Sequence, residues 1–234
     1  MGNEHPMTGW RRRDGHRTAH HDKPLMRGWL HAAAAIGAIA VTAGLLVNTV
    51  HDLPRFFSVM VFGLSMILLY AVSSIYHIGT WTGRRFRLLR ALDHANIFVL
   101  IAGTYTPICV NVLPRGLGIT VLVVIWSLAA VGVSGSVLTL HLPRWIIATL
   151  YIGMGWVGVV VMPSLLRTLP APASLLLLAG GMLYTVGAVV YALQRPNPLP
   201  RVFGFHEIFH LFVVAGSAAF VFMIWGWVVP FTRG

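Results

Sequence analysis

Residues 56–79 read FFSVMVFGLSMILLYAVSSIYHIG, a stretch that contains no Asp, Glu, Lys or Arg. About 18 or more predominantly apolar residues in a row are long enough to cross the hydrocarbon core of a bilayer. The apolar residues fall in one block rather than in an amphipathic stripe, so the helix they form belongs in lipid. Comparable blocks occupy residues 29–50, 92–113, 117–140, 144–166, 173–193 and 205–229, which together fill nearly all of the chain after residue 28. Only 10% of the residues are charged, against about 25% in a soluble domain. The expected fold is an all-α membrane protein, a seven-transmembrane helix bundle at 29–234 with no soluble domain attached.

The connections carry the punctuation such a fold needs. His51-Asp52-Leu53-Pro54-Arg55 follows the first span, and Leu113-Pro114-Arg115-Gly116 the third. His141-Leu142-Pro143-Arg144 follows the fourth, and Arg195-Pro196-Asn197-Pro198 the sixth. Proline cannot continue a helix and biases the residue before it towards extended geometry. There is no internal repeat of fixed period. Gly132, Ser134 and Gly135, and Gly153, Gly155 and Gly158, are small enough to let helices approach closely.

The net charge of +11 does not point to nucleic acid, because the basic residues sit in a tail and in short loops. Residues 1–28 read as a disordered basic tail whose histidines (His5, His16, His20 and His21) belong to a solvated arm. The tail, Arg84, Arg85, Arg87, Arg90, Arg144, Arg195 and Arg201 put 13 basic residues on one side, against Arg55, Arg115, Arg167 and Arg233, which make 4 on the other. The positive-inside rule places the richer side in the cytoplasm. The N-terminus is then cytoplasmic and the C-terminus outside, the reverse of a G-protein-coupled receptor. The expected location is the cell membrane, multi-pass, with membrane lipids as partners and no obligate protein partner. The single cysteine, Cys109, excludes an internal disulfide.

Of the six acidic residues, only Asp93 and Glu207 lie in or beside a span. An ionisable residue there is expensive to bury and is a functional candidate by default. Helix direction adds depth. His77 closes the second span at the cytoplasmic side; Asp93, His94, His206, Glu207 and His210 open the third and seventh there, and His31 opens the first. His206 and His210 stand four residues apart, so they share a helix face and can bind one metal ion. Ser73 and His77 have the same spacing. His206-Glu207-Ile208-Phe209-His210 spells H-E-x-x-H, a zinc-protease helix pattern. A metal held by three imidazoles acidifies water, which Asp93 could hold or deprotonate. Plainer roles remain open: Asp93 as a cap on the third helix, Glu207 as a first-turn carboxylate, His31 and His94 as interfacial residues.

The chain resembles the hemolysin III group of the progestin and adipoQ receptor family over about residues 23–230. The resemblance is carried by Lys23-Pro24 through Arg27-Gly28-Trp29-Leu30-His31, by Ser73-Ser74-Ile75-Tyr76-His77, and by Asp93-His94-Ala95-Asn96-Ile97. It continues in Ile101-Ala102-Gly103-Thr104-Tyr105-Thr106-Pro107 and ends in His206-Glu207-Ile208-Phe209-His210-Leu211-Phe212. It implies seven transmembrane helices with the N-terminus in the cytoplasm. It also implies a zinc ion (Zn2+) on His77, His206 and His210, with Asp93 and Ser73 beside its water. A wider superfamily includes alkaline ceramidases, which hydrolyse a lipid amide. Bacterial members are named for a cytolytic effect. The expectations are therefore a zinc-dependent hydrolase of lipid amides or esters or, alternatively, a non-enzymatic cytolysin or membrane-homeostasis protein with structural zinc. An intramembrane metalloprotease would need Glu207 as its base. Transport finds no paired broken helices or midplane charge to support it.

Overall fold

The computed structural model describes residues 24, 26–138, 143–199 and 201–232. Most of the tail at 1–28 and the loop residues His141 and Leu142 therefore lie outside the described residues. The rest is helical: α1 (Trp29–Val47), α2 (Leu53–Ile78), α3 (Gly83–Asn111), α4 (Arg115–Leu138), α5 (Arg144–Trp156), α6 (Gly158–Thr168), α7 (Ala171–Leu193) and α8 (Phe205–Met223), with a wider π turn at Ile224–Val228. Among the described residues there is no strand, only an isolated bridge between Leu199 and Phe203.

These helices make seven spans. Six are long and apolar enough to cross a membrane, with α5 and α6 together forming the span Arg144–Thr168 and α8 running on to Val228. The seventh is α3, at 29 residues. Its apolar character is diluted by Asn96, Thr104, Thr106 and Asn111, all buried inside the bundle. Lipid cannot satisfy a polar group, so these side chains bond within the protein. Asn111 Nδ2 donates to Ser58 Oγ at 2.9 Å and Asn96 Nδ2 to the Leu68 carbonyl at 3.3 Å, both on α2. Large apolar side chains such as Ile36, Val131, Val160 and Phe222 face outward, as a lipid solvent allows.

The spans alternate in direction and pack chiefly as sequence neighbours: α1 on α2, α2 on α3, α3 on α4, and α7 on α8, with α8 returning to α1. One end of the bundle therefore collects the starts of α1, α3, α5 and α8 and the ends of α2, α4 and α7. Arg27, Arg84, Arg85, Arg87, Arg90, Arg144 and Arg195 are at this end, and the positive-inside rule assigns it to the cytoplasm.

Two boundaries differ from the expectation. The third helix begins at Gly83 rather than at residue 92. The apolar block marks only the part of the helix in lipid; Arg, Leu and Ala are good helix formers, and Arg84 to Leu92 continue the helix out of the lipid. The span expected to run unbroken over 144–166 is interrupted at Val157. The Tyr105 hydroxyl enters the break: it donates to the Gly155 carbonyl and accepts from the Gly158 N–H, each at 2.6 Å. A side chain inserted into the backbone ladder is a recognised cause of a kink.

Candidate metal centre

Each candidate ligand is placed by a helix end. His77 is the penultimate residue of α2, and His206 and His210 occupy the first two turns of α8. The polypeptide leading into α1 packs against the end of α2. Gly28 has φ of 87°, and a Cβ there would lie 2.9 Å from Ile78 Cγ1 and 3.0 Å from His77 Cβ. Only glycine takes this turn and this approach without strain.

His77, His206 and His210 converge, with ligand nitrogens all within 4.8 Å of one another. His77 Nε2 and His206 Nε2 are 3.0 Å apart. His77 and His210 are buried and His206 is half-buried. His210 Nδ1 has no hydrogen-bond partner among the described residues. Three imidazoles that each offer a ring nitrogen within 4.8 Å of the others are a donor set that suits a metal ion. Together the three residues could hold one metal ion.

Asp93 joins them from α3. Its Oδ2 is 3.5 Å from His77 Nε2, the same nitrogen that faces His206. Because α3 begins at Gly83, Asp93 lies about three turns inside the helix and cannot be its N-terminal cap. Ser73, one turn before His77 and buried, lies beside the Asp93 carboxylate. The five residues singled out from the sequence thus occupy one site made by α2, α3 and α8.

The comparison with known proteins fits the same residues into a family. The model for haemolysin-III-related proteins matches residues 19–221, most of the chain. The chain belongs to that family. It is 37% identical to Hemolysin-3 of Bacillus cereus over 202 residues, covering 83% of this chain and 88% of that protein. It is also 37% identical to the Hemolysin-3 homolog of Bacillus subtilis over 169 residues, covering 71% and 75%. A more distant relative is the human monocyte to macrophage differentiation factor, 26% identical over 202 residues and covering 84% and 81%. As a member of the haemolysin-III-related family with several apolar spans, the protein is a multi-pass protein of the cell membrane.

Three further residues complete the surroundings. Glu207 is wholly buried. Its Oε2 accepts from the Gly204 N–H at 2.8 Å, closing the first turn of α8, and its Oε1 pairs with Arg27 Nε at 2.9 Å. Both oxygens are engaged away from the histidines, so Glu207 is not placed as the base of a zinc protease. His94 is likewise outside the cluster. Its Nδ1 meets the Arg90 carbonyl at 2.7 Å and its Nε2 the Tyr191 hydroxyl at 3.2 Å.

His31 departs from its interfacial reading. It is 2% exposed and stacks on His210 with ring centroids 3.7 Å apart and planes 13° from parallel. The Tyr70 ring also packs against His31, with centroids 5.1 Å apart. Neither ring nitrogen of His31 has a hydrogen-bond partner among the described residues. Its place at the start of α1, level with the other histidines, was legible in the sequence. Its direction was not, because helix phase relative to the neighbours depends on the packing. Arg27 enters the sequence reading as a topology charge and as part of the Arg27-to-His31 stretch, and no sequence signal links it to Glu207 across the length of the chain.

Proposed function

We propose that this haemolysin-III-related protein is an intramembrane zinc-dependent hydrolase that cleaves a lipid amide or ester. The observation carrying the proposal is Asp93: a carboxylate three turns into a helix, 3.5 Å from the His77 imidazole nitrogen and beside Ser73, with no capping role to account for it.

The donor set suits zinc, which favours imidazole nitrogen at about 2.0–2.1 Å and hence ligand nitrogens about 3.3 Å apart. The 3.0 Å between His77 and His206 would open slightly, and His210 would close in. When bound, zinc polarises a carbonyl oxygen and makes water acidic enough to react at neutral pH. His77, His206 and His210 would hold the ion. Asp93 would take the proton from the attacking water and deliver it to the leaving amine or alcohol. Ser73 would keep that carboxylate oriented. The site lies at the depth of lipid headgroups, where the amide or ester of a lipid is found. An apolar cleft of about 140 Å³ between α3, α5, α6 and α7 includes Tyr151, whose hydroxyl donates to the His94 carbonyl, next to Asp93. It offers an acyl chain an apolar place deeper in the bundle, beginning at Ile101, about 12 Å along α3 from Asp93.

The test is fatty-acid release by the purified, zinc-loaded protein from lipid amides and esters, together with Asp93→Ala. The variant should keep its metal and its helix content and lose release by about 10²–10⁴-fold, the usual contribution of a general base. Zinc-loaded wild type that releases nothing from either class would refute the proposal. The second reading, a structural ion in a non-enzymatic cytolysin or membrane-homeostasis protein, draws on the same convergence, because an ion on His77, His206 and His210 would clamp α2 to α8. It predicts that Asp93→Ala changes neither function nor stability.

A further inference from the structure

A second cavity lies on another face of the bundle, between α3, α4 and α5, with a volume of about 450 Å³. Its walls are mostly apolar. Its rim residues Leu128, Val131 and Leu150 are exposed to the surrounding lipid. The cavity exists because α4 and α5 barely touch and because Gly132 and Gly153 present no side chains to it. A Cβ at Gly153 would meet nothing within 4 Å, whereas one at Gly132 would strike the Phe98 ring. In a bilayer a mostly apolar space that opens to the lipid is filled by lipid.

Position and charge narrow the occupant. Arg90 and His94 line the end nearest the cytoplasmic surface, while Phe98 and Gly153 line it deeper. From Arg90 to Phe98 the groove descends about 12 Å at 1.5 Å per residue. Arg87, Arg90 and His94 are spaced three and four residues apart and share one face of α3. Arg90 thus stands at the cytoplasmic end of the groove, and Arg87 follows it on the same face of α3, one turn further out. Basic pockets between transmembrane helices on the cytoplasmic side bind anionic headgroups.

We propose that this groove is a binding site for an anionic glycerophospholipid, with its phosphate on Arg87 and Arg90 and an acyl chain beside Phe98 and Gly153. It is separate from the histidine site and stands whether or not that site is catalytic.

The test uses full-length protein, stripped of lipid in detergent and incubated with dioleoyl phosphatidylglycerol or dioleoyl phosphatidylcholine. Retained lipid is counted by native mass spectrometry. Wild type should keep one phosphatidylglycerol under conditions that remove phosphatidylcholine. Arg90→Gln should lower that preference about fivefold, the effect of one basic residue near the surface. Gly153→Leu should fill the groove and abolish retention of both lipids, with the metal content unchanged. Equal retention of the two lipids by wild type, or undiminished retention by Gly153→Leu, overturns the proposal. If Gly153→Leu does not fold, Arg90→Gln decides, and an unchanged preference overturns it.

Discussion

Arg27→Met perturbs an ion pair whose carboxylate is wholly buried. Glu207 is 0% exposed and Arg27 Nε lies 2.9 Å from its Oε1, with the Arg27 side chain 23% exposed. Removing one member of a buried pair leaves an uncompensated charge and costs about 3–5 kcal/mol. The partial exposure of Arg27 and the remaining bond from the Gly204 N–H place the cost at the low end, about 3 kcal/mol. For a domain of this size each kcal/mol moves the midpoint by about 2–4 °C, so thermal unfolding of the purified protein should occur about 6–12 °C lower. Glu207→Gln in the Arg27→Met background should recover part of this, because an uncharged amide can still accept from Gly204 and no longer needs a cation. The effect should reach the metal centre, since His206 precedes Glu207 in the same turn. A shift below about 2 °C for Arg27→Met, or strictly additive single and double variants, would refute the idea that this pair fixes the start of α8.

Other outcomes follow from the same geometry. His31→Ala should weaken metal binding about 10–100-fold, the range for residues that orient ligands, whereas His31→Phe should preserve the stack on His210 and most of the affinity. Chelator competition measures both, and a Phe variant as weak as Ala would show that the ring nitrogens matter more than the stacking. Tyr105→Phe removes the hydroxyl that bridges Gly155 and Gly158. With no water in lipid to replace it, the unsatisfied backbone groups should cost about 2 kcal/mol, a midpoint shift of about 4–8 °C, and no shift would mean that the break at Val157 is stabilised by something else.

The spans were legible because lipid imposes a simple rule: a long apolar block must be a helix with its backbone satisfied internally. The convergence of His77, His206 and His210 with Asp93 was legible because depth follows from span order, and spacing assigns faces. The differences arise where local chemistry departs from that rule. Arg84 to Leu92 are too charged for lipid yet helical, and missing this left a capping role open for Asp93. The break at Val157 depends on a tyrosine about fifty residues earlier in the chain. His31 and the Arg27–Glu207 pair depend on which faces of α1, α2 and α8 meet, which no local pattern encodes.

The central claim is that His77, His206 and His210 form one metal site. Elemental analysis of the purified protein tests it directly, with wild type set beside the variant carrying His77→Ala, His206→Ala and His210→Ala. The expected result is about one zinc per wild-type chain and none in the variant. Equal metal content in the two proteins would contradict it.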